Sequence, residues 1–420
     1  MTFWRRLFGR DADVAPAACT ALDVGTEFAK ALVFEIDEQQ HGVVRGVGRQ
    51  RQGLAHMQSG TVADIAAVVD NCAVALQEAE EMAGFRPSQA VVGIAGELVK
   101  GFTTTLSQER KRPEQPIGEG ELQRLIDGVQ REALREAERS ITWETGLPNV
   151  DVRLVHAAVT GAAIDGYPVT NPVGFQGRHV RISIFNAFAP LVHLGALQSV
   201  ASQLDLELLA IVAEPFAVAR CMGGEQVQQA GALFVDVGGG TTDVALVRQG
   251  GIEGTGMFAL GGRAFTKSVA DQLDLPFARA EALKIDYARG LDVDGRERVA
   301  GIVTEDVAVW AAGVELVLEE LAGNELLPGR IYLCGGGSGL PEVPAALREQ
   351  RFADRLPFAR RPEVQVIAPA AIESIEDATD LLVDQQDVTP MSLAYQAIEL
   401  AGEESPLDVA LRRVLRAMKV

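Results

Sequence analysis

Apolar residues recur along this chain with two different periods, and segments of the two kinds alternate over most of its length. In residues 62–82 and 191–204 the apolar positions fall three or four apart, which predicts amphipathic helices. Residues 122–139 keep this period with a strongly charged opposite face, and residues 181–188 alternate apolar with polar side chains like a strand. The alternation of helices with strands predicts an α/β fold built from packed layers.

Two segments predict a strand, a tight turn and a second strand, each with glycine in the turn. Short apolar runs flank both Asp23-Val-Gly-Thr26 and Asp236-Val-Gly-Gly-Gly-Thr-Thr-Asp243. Glycine lets the turn backbone point N–H groups at phosphate oxygens, and an aspartate at the strand end can hold a metal ion through water. Either segment alone is also compatible with an ordinary hairpin. Together they predict two related domains that clamp a nucleotide between their turns.

A third glycine cluster, Gly335-Gly-Gly337, follows the apolar run at 331–334. Its backbone carries no side chains, so we expect the sugar or purine base of a nucleotide to lie against it. Three such turns in this order favour a nucleotide site over three unrelated hairpins.

Composition narrows the class of protein. A length of 420 residues suits two halves with an insertion, and an apolar share of 47% suits a folded α/β protein. The net charge of −20 argues against a general nucleic-acid surface, because phosphate backbones require basic patches. The four cysteines form no CxxC pair and the five histidines show no metal-ligand spacing, which argues against a zinc site or a disulfide framework. A reducing cytoplasm is therefore the expected compartment. No apolar run reaches the ~20 residues of a spanning helix, and no signal peptide is evident.

Both ends of this acidic chain are basic and amphipathic. The C-terminal pattern predicts a helix in a membrane interface, with its apolar face among acyl chains and its bases on anionic lipid. Two alternatives remain, a helix packed on its own domain and a helix that binds a partner protein. The N-terminal decapeptide is either a second anchor or a segment that pins the chain start to the body. The residues assigned to membrane contact are Leu407, Leu411, Arg412, Arg413, Val414, Leu415, Arg416, Met418 and Lys419, with Phe3, Trp4, Leu7 and Phe8 for the second anchor.

The order of the glycine motifs resembles the actin and heat-shock chaperone ATPase superfamily, and within it the FtsA family of bacterial cell-division proteins. The FtsA resemblance is carried by Asn171-Pro-Val-Gly174, which is similar to the family's Asn-Pro-x-Gly-x-x-Gly signature, and it runs from about Cys19 to Ala401. It implies an α/β, actin-like two-domain ATPase fold with ribonuclease-H-like halves and an FtsA-type inserted α+β subdomain in the first half.

The resemblance also implies domain boundaries. The expected parts are a basic segment over 1–18, a first half over 19–85 and 180–230, an inserted subdomain over 86–179, a second half over 231–400 with an outer subdomain at 262–328, and a linker with a terminal helix over 401–420.

Site residues follow from the same resemblance. Lys30, seven residues after Asp23, is expected to reach the phosphates, and Glu214 to position the attacking water. Glu281 and Lys284 match the helix that holds ribose and adenine, although a solvated salt bridge explains their spacing equally well. Glu214 and Asp236 are the expected catalytic residues, and Asp23 and Asp236 are expected to hold Mg²⁺ through water. The residues expected to bind ATP are Asp23, Gly25, Thr26, Lys30, Gly238, Gly239, Gly240, Thr241, Thr242, Gly261, Gly262, Glu281, Lys284, Gly335, Gly336 and Gly337.

The function implied by the resemblance is that of an ATP-binding scaffold with slow turnover at most. FtsA relatives are thought to polymerise on the cytoplasmic face of the inner membrane at the division site, to bind the C-terminal peptide of FtsZ and to recruit later divisome proteins. Two alternatives stay open: a PilM-like cytoplasmic adaptor of type IV pilus assembly, and an actin-fold small-molecule kinase, which would need a carboxylate base beside a substrate pocket.

Overall fold

A computed structural model describes residues 17–147, 150–222, 224–248, 250–402 and 406–418. The expected second anchor (Phe3, Trp4, Leu7 and Phe8) and Lys419 lie outside the described residues. Among the described helices, none combines the length and the apolar character needed to cross a bilayer.

Strands and helices alternate along the described chain, as the hydrophobic periods predict. The strands are β1 (Ala17–Val24), β2 (Phe28–Ile36), β3 (Gly42–Arg51), β4 (Met57–Gln58), β5 (Thr61–Val62), β6 (Gln89–Ile94), β7 (Lys100–Glu109), β8 (Val152–Ile164), β9 (Tyr167–Pro168), β10 (His179–Pro190), β11 (Glu207–Ala213), β12 (Ala232–Val237), β13 (Thr242–Arg248), β14 (Gly251–Phe258), β15 (Arg330–Cys334), β16 (Glu363–Val366) and β17 (Ile375–Asp377). The helices are α1 (Ile65–Ala83), α2 (Glu119–Thr145), α3 (Leu191–Gln203), α4 (Glu214–Cys221), α5 (Glu225–Ala230), α6 (Gly262–Leu273), α7 (Phe277–Ala288), α8 (Arg296–Ala322), α9 (Glu342–Arg348), α10 (Gln350–Arg355), α11 (Val388–Ala401) and α12 (Pro406–Met418).

The two halves of the molecule share one sheet topology. The first has the order β11-β6-β1-β2-β3, extended by β17, and the second contains the order β16-β15-β12-β13-β14. In each, three antiparallel strands are followed by two strands that run parallel to the first of them. One apolar core lies wholly within the second half, and a second core is centred on the first half and includes residues of β12 and β13. The α/β fold with two related halves is therefore confirmed.

The inserted subdomain is a sheet of β7, β10, β8 and β9 covered by α2. Its sheet continues that of the second half, because β7 pairs with β14 at Phe102–Gly254 and Gly101–Thr255. An edge strand of the second half is thereby covered, although the insertion interrupts the first half in sequence.

Two strands lie in sheets that differ from those implied by the expected domain boundaries. The run at 89–94, expected to open the insertion, is β6 and lies inside the first-half sheet. The run at 181–188, expected to return to the first half, is part of β10 and pairs with β7 and β8 of the insertion. A strand's apolar pattern shows which faces are buried but not which strands it pairs with, so periodicity alone could not place either strand.

The C-terminal helix α12 packs on the inserted subdomain. Leu407, Leu411 and Val414 are 4–5% exposed and share a core with apolar residues of α2, β8 and β10. Arg413 lies on the opposite, exposed face. In this conformation the apolar stripe thus contacts protein, which is the first alternative weighed from the sequence. Membrane contact through this stripe stays a prediction, and it requires the helix to leave this position.

Candidate nucleotide-binding cleft

A cleft of about 630 Å³ lies between the two halves, where the β1–β2 and β12–β13 turns meet. Of the residues expected from the sequence, it is lined by Asp23, Gly25, Thr26, Lys30, Glu214, Asp236, Gly238, Gly239, Thr241, Gly262, Glu281, Lys284, Gly335, Gly336 and Gly337. A larger cavity of about 1,700 Å³ lies between the insertion and the first half and has none of these residues in its wall. The chemistry expected from the sequence is therefore concentrated in the smaller cleft.

Three expected residues do not line the cleft. Thr242 is fully buried, and its hydroxyl donates to the Leu260 carbonyl while accepting from Trp310 Nε1. A Cβ on Gly261 would lie 2.5 Å from the Gly238 carbonyl oxygen, and one on Gly240 would lie 2.7 Å from Thr26 Cγ2. These three residues contact other protein atoms and do not face the cleft, so they contribute to the shape of the turns.

The first hairpin pairs a carboxylate with a cation. Asp23 and Lys30 are directly opposite each other on β1 and β2, and Lys30 Nζ lies 3.5 Å from Asp23 Oδ2. Lys30 Nζ also donates to the Gln386 carbonyl over 2.6 Å. Burial raises the pKa of Asp23, and the nearby Lys30 charge opposes that rise. The seven-residue spacing read from the sequence is thus a cross-strand pair.

The second hairpin pairs two carboxylates at the same spacing. Asp236 and Asp243 are opposite each other on β12 and β13. Asp236 accepts a short hydrogen bond from the Thr389 hydroxyl, and Asp243 Oδ2 accepts from Thr241 Oγ1 over 3.1 Å. Burial, and then the charge of Asp236, raises the pKa of Asp243 well above its usual range. Among the described residues, Asp243 Oδ1 is buried without a hydrogen-bond partner.

The two turns touch each other across the cleft. A Cβ on Gly239 would lie 2.8 Å from Glu27 Cβ, so only glycine fits against the first turn here. Arg263, at the start of α6 in the second half, donates through Nε to Glu27 Oε2 over 2.6 Å. Arg51, from the first half, holds the other oxygen of the same carboxylate over 2.6 Å. Glu27 is therefore one point at which the halves are joined by charge.

The third glycine loop packs on the second hairpin. Gly335 has φ +81° and ψ 157°, a conformation that is nearly restricted to glycine. A Cβ there would lie 2.0 Å from Asp236 Oδ1. Gly337 is similarly close to Val237. Only glycine fits beside Asp236, so main-chain atoms form this wall of the cleft.

Glu214 begins α4 and points into the same group of charges. Burial raises its pKa well above the usual range, and the charges of Asp23, Asp243 and Asp236 raise it further. A Cβ on Gly93 would lie 2.6 Å from Glu214 Oε1, so the glycine in β6 makes the space that the carboxyl group occupies.

Glu281 and Lys284 form a buried ion pair on α7, and each residue is 8% exposed. The Lys284 Nζ lies 2.9 Å from Glu281 Oε2 and donates to the Gly262 carbonyl and the Thr266 hydroxyl. Thr266 in turn donates a short hydrogen bond to Glu281. The interpretation of this pair as a solvated salt bridge is therefore wrong.

The donor set of the cleft fits a nucleotide with a divalent cation. Lys30 lies among four buried carboxyl groups, Asp23, Glu214, Asp236 and Asp243, so an added cation would compensate charge that the chain leaves unpaired. Oxygen ligands are those that Mg²⁺ prefers, and it usually keeps several waters. Among the described residues, no three His, Cys, Asp or Glu side chains are grouped as direct metal ligands.

Sequence reasoning assigned no role to four residues at this site. Asp243 could have been found from its position seven residues after Asp236, which mirrors Asp23 and Lys30. Arg263 and Gln386 carry no local signal, because their roles depend on contacts between distant segments. The same holds for Arg49, which lines the cleft and forms an ion pair of 2.5 Å with the buried Asp387.

Comparisons with known proteins agree with this geometry. The family model for "Cell division protein FtsA" matches residues 233–379. Over 354 residues the chain is 29% identical to the "Cell division protein FtsA" of Pseudomonas aeruginosa, covering 79% of this chain and 80% of that protein. It is 23% identical to the same-named protein of Streptococcus pneumoniae, covering 84% and 77%.

A solved structure extends the match to the whole fold. The "PilM-PilN type IV pilus biogenesis complex" contains a chain that superimposes with a TM-score of 0.62, covering 90% of this chain and 98% of that one, at 17% identity. At this identity the likeness concerns the fold alone, whereas the sequence matches carry the FtsA name. The chain thus has an actin-like fold, and over most of its length its sequence is similar to proteins of the FtsA family.

Proposed function

We propose that this protein binds ATP with Mg²⁺ in the interdomain cleft and serves as a membrane-associated scaffold of cell division. The observation that carries the proposal is the pair of glycine turns in contact across a cleft with four buried carboxyl groups. Its similarity to proteins named "Cell division protein FtsA" over most of its length supports the cellular role.

Each half would hold a different part of the nucleotide. Lys30 and the N–H group of Gly239 would bind phosphate oxygens, and the backbone at Gly335–Gly337 with the Glu281–Lys284 pair would hold the adenosine. Asp23 and Asp236 would hold Mg²⁺ through water, and the ion would offset the charge of the phosphates.

Hydrolysis, if the protein turns ATP over, would depend on Glu214. Its carboxyl group would orient the attacking water, since it projects from the helix that joins the halves towards both phosphate-type hairpins. We expect a slow rate, in keeping with a scaffold. Single-turnover measurement of ATP cleavage by the wild type and by Glu214→Gln tests this role, and an unchanged rate would contradict it.

Nucleotide binding is tested by titrating a fluorescent ATP analogue with and without Mg²⁺. Asp236→Asn is expected to weaken the Mg²⁺-dependent affinity about tenfold or more, because a well-placed charged contact contributes about 1.5–3 kcal/mol. Asp306→Asn is the matched control, since Asp306 lies outside the cleft and bonds to Ser268. The proposal fails if the protein takes up no adenine or guanine nucleotide at any Mg²⁺ concentration.

Membrane attachment and self-association form the second part of the proposal. The bases Arg412, Arg413, Arg416 and Lys419 would bind anionic lipid on the cytoplasmic face of the inner membrane, and a filament would bind better than a monomer because its anchors are linked. The test is ATP-dependent pelleting with anionic liposomes. Undiminished pelleting of a chain that lacks both residues 1–10 and residues 407–420 would contradict the anchor.

Partner choice separates the proposed role from that of an adaptor like the PilM chain. The scaffold would bind the C-terminal peptide of FtsZ, tether FtsZ filaments at the division site and recruit later divisome proteins. Fluorescence anisotropy with a labelled FtsZ tail peptide measures the first of these interactions directly. No binding to that peptide, together with binding to a PilN peptide, would favour the pilus alternative.

A further inference from the structure

The side chains that would enter a membrane are the ones that α12 buries in this structure. Leu407, Leu411 and Val414, together with Ala410, are 4–8% exposed and join the core of the inserted subdomain. That core also contains Leu122 and Ile126 of α2, and α12 packs against α2 and β8. One face of a helix cannot contact this core and lipid at the same time, so docking and membrane insertion exclude each other.

Apolar burial alone favours the docked position. The side chains of α12 leave water in either place, but the apolar surface that they cover on the insertion is buried only when the helix is docked. Release therefore requires an additional gain on the membrane, which has to come from the charged face of the helix.

In the docked position the ion pair that Arg413 makes on the charged face is a weak one. Arg413 forms an ion pair of 3.3 Å with Glu119, and both side chains are more than half exposed, at 57% and 78%. Such exposed pairs are weak and screened by salt. An anionic membrane surface instead attracts every base on that face. Anionic lipid therefore favours release of the helix, and its absence favours docking.

We propose that α12 is a switch between an autoinhibited position on the inserted subdomain and an attached position on anionic membrane. The inference rests on the membrane attachment proposed above and adds its regulation. In solution the docked helix hides its apolar face, which keeps the unattached protein soluble. On the membrane the helix leaves the insertion and uncovers the apolar surface formed by α2 and β8.

A cleavable crosslink tests the switch on the full chain. Glu119→Cys and Arg413→Cys place thiols where the ion pair now lies, and a flexible bis-maleimide with an internal disulfide joins them. Cys19, Cys72 and Cys334 are buried, and the half-buried Cys221 is replaced by serine in all variants. Sedimentation with phosphatidylglycerol vesicles is measured before and after the linker is cleaved. A Glu315→Cys/Arg355→Cys pair, crosslinked in the same way across an ion pair of 3.0 Å that does not involve α12, is the control.

The expected result is that the locked protein stays in the supernatant, the cleaved protein pellets with the vesicles and the control pair pellets in both states. Equal pelleting of locked and cleaved protein would overturn the switch while leaving the membrane proposal intact. If neither the cleaved protein nor the uncrosslinked wild type pellets, the proposed attachment fails and the switch fails with it.

A charge variant provides a second readout without any crosslink. Glu119→Lys replaces the partner of Arg413 with a like charge, and we expect vesicle binding to rise about two- to fivefold, the range of an exposed ion pair. Glu138→Lys is the control, because it makes the same charge change on an exposed position near the other end of α2. Equal gains in the two variants would reduce the effect to general electrostatic attraction and count against docking.

Discussion

The two phosphate-type hairpins have the same geometry and opposite chemistry. In both, an aspartate at the end of the first strand lies opposite the residue seven positions later on the second strand. That residue is Lys30 in the first half and Asp243 in the second. The first hairpin is thus neutralised within itself, and the second brings two carboxyl groups together.

This difference shows how a duplicated fold can divide one task. The first half supplies a cation, Lys30, and neutralises it with its own Asp23, so the charge of this hairpin is balanced within the protein. The second half raises the pKa of Asp236 and Asp243 by burial, and so favours a proton or an added cation there. The asymmetry predicts that mutations at equivalent positions have effects of opposite sign.

Lys30→Met should produce the largest loss, because it breaks the internal compensation of the first hairpin. Lys30 and Asp23 have side chains 12% and 6% exposed, and removing one partner of a buried pair costs about 3–5 kcal/mol. The loss should be full at pH 8 and shrink in acid, where Asp23 takes up a proton. Urea unfolding at both pH values measures it. The exposed Lys111→Met is the control, and adding Asp23→Asn should restore much of the stability; no restoration would contradict the pairing.

Gly335→Ala tests the dependence of the second half on bare backbone. The new methyl group would meet Asp236 Oδ1 and the Val237 carbonyl in a glycine-only conformation, for an expected loss of about 2–4 kcal/mol and of nucleotide binding. Gly84→Ala is the matched control, because Gly84 has φ +78° and no atom within 4 Å of a Cβ. Its loss should be about 1 kcal/mol, from conformational strain alone. Equal losses in the two variants would show that contact with Asp236 is unimportant.

The sequence predicted what depends on local pattern and missed what depends on pairing between distant segments. Both glycine turns and the helices at 62–82 and 191–204 could be predicted, since turn residues and helical periods act within a few residues. The location of α12 was left open, because an amphipathic stripe fits lipid and a protein groove equally well. The sheet to which β6 belongs could not be predicted, since a strand buried on both faces gives no sign of its neighbours.

Asp243→Asn should stabilise the protein, in contrast to the change at Lys30. The folded chain holds the Asp243 proton more tightly than the unfolded chain does, so the free energy of unfolding falls as the pH rises through the raised pKa. The amide carries no charge and removes this term. We expect little change near pH 4 and a gain of about 1–3 kcal/mol near pH 8, measured without nucleotide. A gain in the free energy of unfolding at pH 8 would confirm that Asp243 and Lys30 have opposite effects. A loss at pH 8 would contradict the asymmetry between the two hairpins. The exposed Glu320→Gln is the control.

The smallest effect concerns the charge contact that joins the halves. Glu27 is held by Arg263 from the second half and by Arg51 from the first, each over 2.6 Å. Double-mutant cycles with Glu27→Ala should give a coupling energy of about 1 kcal/mol for Arg51, whose side chain is 44% exposed, and a larger one for Arg263, whose side chain is 13% exposed. The Arg263 pair links the two halves, and the Arg51 pair lies within the first half. Arg263→Ala should therefore speed release of a bound ATP analogue in stopped-flow displacement, since it loosens the halves, whereas Arg51→Ala should leave release unchanged. If both substitutions speed release equally, the two halves do not separate at this contact, and the cleft opens in some other way.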